Sequence, residues 1–316
     1  MELRDFGRLG RISALTLGGG GIGGVWGSTD RAEAVATVHA ALDAGITMLD
    51  LAPSYGTDFE SERAVADALR GSAREVRITS KVQLQDDEGR DFAARIRRSL
   101  RDSLTRLGRD HLDLFLLHTQ FRRAGTTLSG TIAPADYQDE IVPEFERLRA
   151  EGLIGAWGIT AVGDPGPLLD AFRATPAPDA AQIVVNALDQ SGDLWMHGDT
   201  ARPGNDALRA AAAAAGIAVI AIRAVAGGSL TSALDRTVPP THPAAVDFAR
   251  AEPFRELAAE LGESPASLAH RYALSVPGVA TVVLGVKNRA ELSECLKAES
   301  QGPLSPADLA AVRALA

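Results

Sequence analysis

Four residues that could carry acid–base chemistry recur at matching places in the 316-residue chain. The stretch 45–62, GITMLDLAPSYGTDFESE, opens with the apolar run Ile46-Thr47-Met48-Leu49 and breaks at Asp50. Tyr55 follows five residues later. Lys81 closes the next strand-like run, 76–80, and His118 closes the one after it, 112–117. A carboxylate ending a buried strand costs free energy unless something pairs with it. Lys81 is a cation at the corresponding place on the next strand. A tyrosine with an ordinary pKa of about 10 is a poor proton carrier near neutrality, and a neighbouring cation lowers that value. Asp50, Tyr55, Lys81 and His118 therefore read as one site.

The elements that must position these residues follow from periodicity. Residues 2–13 read as a short hairpin turning at Gly7 and Gly10. Leu15-Thr16-Leu17 is a first strand, followed by the glycine run 18–24. Asp30 and Glu33 form a capping box ahead of a helical face of Ala34, Val35, Val38, Ala41 and Leu42. Strands are expected at 46–50, 76–80, 112–117, 153–159, 182–185, 216–222 and 281–284. Helices are expected near 60–70, 89–107, 137–151, 165–175, 205–215, 247–261, 265–275, 288–298 and 306–315. Eight strands alternating with helices, with no linker, read as α/β: a single-domain (β/α)8 TIM barrel over 1–316 with an N-terminal β-hairpin and extra helices. Long loops at 119–136, 186–204 and 223–246 follow strands four, six and seven. That is the carboxyl face, where barrel chemistry sits and where the four residues lie.

Composition narrows the partners. A hydrophobic content of 46% with 23% charged residues is ordinary for a globular protein. The net charge of −9 argues against nucleic acid or an anionic membrane as the main partner. The arginine-rich face of the helix at 89–107 then reads as solvated surface. No apolar run reaches the ~18 residues of a membrane span. The start, MELRDFGRLG, lacks the apolar core of a signal peptide. One cysteine, Cys295, rules out an intrachain disulfide framework and a multi-cysteine metal site, and no metal is expected. A cytoplasmic location is the expectation.

Gly18 to Gly23 satisfies G-x-G-x-x-G. A dinucleotide fingerprint needs a helix to start directly at the third glycine. Here residues 25–29 intervene, so a Rossmann site ranks behind a glycine-rich first barrel loop that leaves room for a ligand.

The segments LDLAPSYG, ITSK, LDLFLLH, GLIGAWGIT, QIVVN, GIAVIAIRAVAGGSL and VVLGVKNRAELSECL occur in this order. Through them the chain resembles the aldo-keto reductase family over nearly its whole length. The resemblance implies a barrel that binds a nicotinamide cofactor, usually NADP(H) with NAD(H) left open, without a Rossmann fold. It implies hydride transfer between a carbonyl and an alcohol, and looks nearest to bacterial enzymes acting on small aldehydes or aldoses. Tyr55 would supply the proton and Lys81 would lower its pKa. Asp50 would hold Lys81 charged and oriented, and His118 would hydrogen-bond the substrate oxygen.

The resemblance also assigns cofactor positions. Gln182 and Thr160 match carboxamide contacts, whereas Ala161 stands where asparagine is usual and leaves one amide contact open. Ile222 stands where an aromatic ring commonly stacks. Arg223 replaces a serine and could reach the pyrophosphate or the substrate. Gly227, Gly228, Ser229 and Leu230 match a pyrophosphate loop. Gly285, Val286, Lys287, Glu291 and Cys295 fall at the adenosine end, with Lys287 suited to a 2′-phosphate. Trp26 can wall the substrate pocket or simply pack. Trp195 and His197 in the sixth loop carry less weight. A nicotinamide-binding regulatory subunit with little turnover is the alternative from another class.

Overall fold

The computed structural model describes residues 1–84, 89–123, 130–190 and 202–315. Trp195 and His197 lie outside them. Strands β1 (Leu3–Asp5) and β2 (Arg11–Ser13) form the expected antiparallel hairpin. Eight parallel strands close into a barrel: β3 (Leu15–Gly18), β4 (Met48–Asp50), β5 (Arg77–Val82), β6 (Leu112–Leu117), β9 (Ile154–Thr160), β10 (Ala180–Val184), β11 (Ala218–Ile222) and β12 (Val279–Leu284). The ring shuts where β12 pairs with β3. Two short strands, β7 (Gln120–Phe121) and β8 (Thr131–Ile132), pair in parallel within the stretch expected to be a plain polar loop.

Strand alternation sorts the side chains. Met48, Leu114, Leu116, Ala156, Ala180, Ala218 and Ile220 fill the barrel, and Phe6, Leu9 and Ile12 of the hairpin region join them from below. The same inward faces turn polar at the carboxyl ends: Asp50 follows Met48, Thr160 follows Ala156 by two steps, and Gln182 follows Ala180. The outward faces pack on the helices in a second, larger apolar cluster.

The helices start where their caps dictate. Asp30 accepts from the Glu33 amide, as the capping box implies. Asp91 caps the arginine-rich helix, which therefore begins at Phe92 rather than 89. The helix expected from 137 opens as a wide turn, Tyr137–Ile141, before Val142–Ala150; Pro143 has no N–H to give a regular first turn. Among the described residues no helix is long and apolar enough to cross a membrane.

Candidate active site

Strand register brings the four sequence-predicted residues together. Lys81 is fully buried, and its ammonium donates to Asp50 Oδ2 at 2.8 Å and to the Leu51 carbonyl at 2.9 Å. Its Nζ lies 4.5 Å from the centre of the Tyr55 ring. The Tyr55 and His118 rings meet edge to face, with centroids 5.9 Å apart and an interplanar angle of 87°. Gln182 Nε2 donates to the second Asp50 oxygen at 2.8 Å, and Thr160 Oγ1 donates to Gln182 Oε1 at 3.2 Å. One hydrogen-bonded chain thus runs from β9 through β10 and β4 to β5. Asp50, Lys81 and Gln182 are buried, whereas Tyr55 and His118 are half-buried and reachable.

The electrostatics give each group a definite state. Burial pushes the Lys81 pKa down, but Asp50 and then Tyr55 hold it above the ordinary lysine value. Lys81 is a cation. Burial pushes the Tyr55 phenol up, Lys81 pulls it down and Asp50 pushes it up again; the net direction is upward. This differs from the expectation of a lowered value: the buried cation moderates desolvation without overcoming it, because Asp50 cancels part of its field. Tyr55 is therefore a protonated phenol at neutral pH. Burial, and secondarily Lys81, pushes His118 down to about 3, so its imidazole is neutral.

The backbone at the glycine run is arranged otherwise than expected. Gly19–Ile22 is a single helical turn. A Cβ on Gly18 would lie 2.3 Å from the Leu284 carbonyl oxygen, one on Gly21 2.0 Å from that of Val286, and one on Gly23 2.6 Å from that of Tyr55. These glycines let backbone meet backbone; the space is filled and not kept for a ligand. They belong to a barrel corner, which disposes of the Rossmann reading. Trp26 lies across Gly20 and Gly285, with its Nε1 2.8 Å from the point a Gly20 Cβ would occupy.

A second charged centre sits in the loop after β11. Arg223 adopts φ +61° and swings its Nη2 to 2.6 Å from the Cβ position of Gly227. Gly227 itself lies at φ +64°, a conformation that favours glycine. Arg236 donates to the Gly227 carbonyl at 2.8 Å and pairs with Asp235 at 3.2 Å. Among the described residues the Arg223 guanidinium has no hydrogen-bond acceptor. Burial, then the neighbouring Arg236, pushes its pKa down to about 10 against a smaller upward pull from Asp247. Two guanidiniums converging on Gly227 suit an oxyanion such as phosphate. Sequence reasoning named Arg223 but missed Arg236, whose only signal was one arginine in an irregular loop. Ser229 and Leu230 are buried beneath this loop, and Ile222 is half-buried at the end of β11.

At the far end, the Lys287 ammonium contacts Glu291 Oε1 at 2.8 Å and Asp235 Oδ2 at 2.9 Å. Asn288 caps the helix Arg289–Ser300 by accepting from the Glu291 amide, while Glu291 reaches back to the Lys287 amide at 2.9 Å. Gly285 and Val286 face Gly21. Cys295 is buried, its Sγ 3.7 Å from His270 Nε2 on the helix Pro265–Ser275. It packs between two helices, and burial raises its thiol pKa.

The residue pattern of the aldo/keto reductase family matches residues 14–316. L-galactose dehydrogenase of Arabidopsis thaliana is 26% identical over 311 residues, 95% of this chain and 89% of that protein. An aldo-keto reductase of Bacillus subtilis is 38% identical over 113 residues, 34% of either chain, so the match spans about a third of that relative. Among solved structures, the glycerol dehydrogenase of Gluconobacter oxydans superposes with a TM-score of 0.72 at 26% identity, covering 96% of this chain and 91% of that one. The chain belongs to the aldo/keto reductase family.

Proposed function

We propose that this protein is an NADP(H)-dependent oxidoreductase that interconverts a carbonyl (aldehyde, ketone or aldose) and an alcohol, with Tyr55 as general acid–base. The observation that carries this reading is the buried Asp50–Lys81 pair beneath a reachable tyrosine. A charge pair that costs desolvation and serves no packing need is expected where chemistry uses it. The regulatory-subunit alternative gives that pair no work. Relatives named methylglyoxal reductase in Escherichia coli and D-threo-aldose 1-dehydrogenase in a Pseudomonas species favour small aldehydes or aldoses as substrates.

The nicotinamide, when bound, supplies or accepts the hydride. Tyr55, held as a neutral phenol, gives its proton to the oxygen where negative charge develops. The Lys81 cation then stabilises the phenolate left behind, and Asp50 keeps that cation in place. Neutral His118 offers an N–H to the same oxygen and fixes its angle. In the oxidative direction the Tyr55 phenolate takes up the alcohol proton.

The residues present fit the dinucleotide. Arg223 is a half-buried guanidinium with no hydrogen-bond acceptor among the described residues, which suits a pyrophosphate; Arg236, Gly227 and Gly228 would share it, over Ser229 and Leu230. Thr160 and Gln182 would hold the carboxamide, with Ile222 beside the ring. Lys287 and Asn288, near Gly285, Val286, Glu291 and Cys295, would meet the adenosine 2′-phosphate. Trp26 would line the rim of the substrate pocket.

The test is turnover of a panel of aldehydes, ketones, sugars and alcohols in both directions with both cofactors. Tyr55→Phe should lose ~10²–10⁴-fold in turnover while keeping its NADPH affinity. A Tyr55→Phe variant within a few-fold of the parent, or a parent that binds NADPH yet turns over nothing, would overturn the reading.

A further inference from the structure

The loop that carries Tyr55 contains a backbone anomaly. Asp58 and Phe59 both lie in the left-handed region, at φ +55° and +60°. Bulky side chains avoid this region because Cβ crowds the backbone, and such strain persists only where the surroundings impose it. Glycine would sit at position 59 without strain. Burial does not explain a phenylalanine there either, since Phe59 is 38% exposed. What engages it is its ring, whose centre lies 4.2 Å from the Arg106 guanidinium carbon.

Arg106 leads inward. Its Nε donates to Glu62 Oε2 at 2.5 Å, and Glu62 Oε1 accepts from Ser80 Oγ at 2.6 Å. Glu62 is a fully buried carboxylate. Ser80 immediately precedes Lys81 in β5 and points to the opposite face of the strand. Next to Glu62, the Ser61 amide donates to the Tyr55 carbonyl at 3.1 Å, and Ser61 Oγ donates to Ala52 O at 3.2 Å. The first turn of the helix Glu60–Leu69 thus grips Tyr55 through one residue and the Lys81 strand through the next.

We propose that Glu62, Arg106 and Phe59 are positioning residues that fix the Tyr55 loop relative to Lys81. The inference rests on the reading of Tyr55 as proton donor. Glu62 sets the helix against β5, Arg106 braces Glu62 from the helix Phe92–Leu107, and Phe59 straps the loop onto Arg106. Neither Glu62 nor Arg106 touches the reacting atoms; they act through the distance between Tyr55 and Lys81.

Phe59→Gly separates positioning from a merely structural role. Glycine tolerates the left-handed φ, so the melting temperature should hold or rise. The strap is lost, so kcat should fall on the order of tenfold, with KM and the NADPH dissociation constant unchanged. Phe59→Tyr, which keeps a ring over Arg106, should restore kcat. The chain has three tyrosines, so a ¹³Cζ-tyrosine NMR spectrum, assigned with Tyr55→Phe, gives a readout independent of turnover. The Tyr55 signal should move or broaden in Phe59→Gly. Parental kcat with an unmoved Tyr55 signal would overturn the inference. A parent inert toward every substrate would instead count against the proposed function, and the Tyr55 signal would still decide this one.

Discussion

The Lys287 ammonium lies 2.9 Å from the carboxylate of Asp235, a residue of the loop that follows β11. Glu291 holds the same ammonium from its other side. The cation suited to a 2′-phosphate is thus already shared between two carboxylates, and a phosphate must compete for it. Asp235→Asn should free Lys287 and tighten NADPH binding by up to about fivefold, the range of a partly exposed pair, with NADH unaffected. Lys287→Ala should weaken NADPH by roughly ten- to a hundredfold and leave NADH nearly unchanged. Fluorescence titration of both cofactors into each variant checks this; equal changes for NADH and NADPH would show that the pair does not read the 2′-phosphate.

Arg223 should behave differently. A pyrophosphate is common to both cofactors, so Arg223→Gln should weaken NADPH and NADH alike, by roughly ten- to a hundredfold for a lost charge-assisted hydrogen bond. The same variant removes a half-buried cation that desolvation and Arg236 disfavour and should not lower the melting temperature of the cofactor-free protein. Loss of substrate affinity with cofactor affinity intact would assign Arg223 to the substrate instead.

Lys81→Met should abolish most turnover and also destabilise the fold by ~3–5 kcal/mol, because Asp50 is left buried without its partner. Since the folded-state pKa of Lys81 is raised, the pair's contribution is complete below the ordinary lysine value of about 10.4 and is lost as pH climbs past it. The parent should therefore lose stability in that alkaline range more steeply than the variant. Calorimetry across the range measures the difference, and parallel curves would contradict the coupling.

His118 makes an acid-side prediction. The unfolded imidazole takes up a proton near pH 6.5, whereas the folded one waits until about 3. Between those values the unfolded state binds more protons, so stability falls as pH drops. His118→Gln should flatten that limb in chemical denaturation. In the parent, kcat/KM should show no histidine inflection between about pH 5 and 8, since His118 is neutral throughout. A clear inflection that vanishes in His118→Gln would refute a neutral role.

Much of this site was legible in the sequence because buried charge is conspicuous. Asp50 ends an apolar run and Lys81 a strand-like one, and the demand that a buried carboxylate find a cation joins them from the sequence alone. Less legible was the sign of the Tyr55 shift, which depends on how far desolvation outweighs Lys81. Asp235 and Arg236 were missed because the loop after β11 has no periodicity to place them. Phe59 carries no sequence signal, since its left-handed φ is a property of the folded backbone. The glycine run suggested space for a ligand, whereas Gly18, Gly21 and Gly23 are small because other backbone already occupies that space.

The hairpin β1–β2 bears on traffic through the barrel. Its neighbourhood lodges Phe6, Leu9 and Ile12 among Leu114, Leu116 and Ile220, so the barrel is a cup with a floor and not a pipe. Whatever reaches Tyr55 must come in over the rim formed by the loops after the strands, and whatever is made there must go out the same way. Filling and emptying share one doorway, so each departure has to clear the next arrival's path.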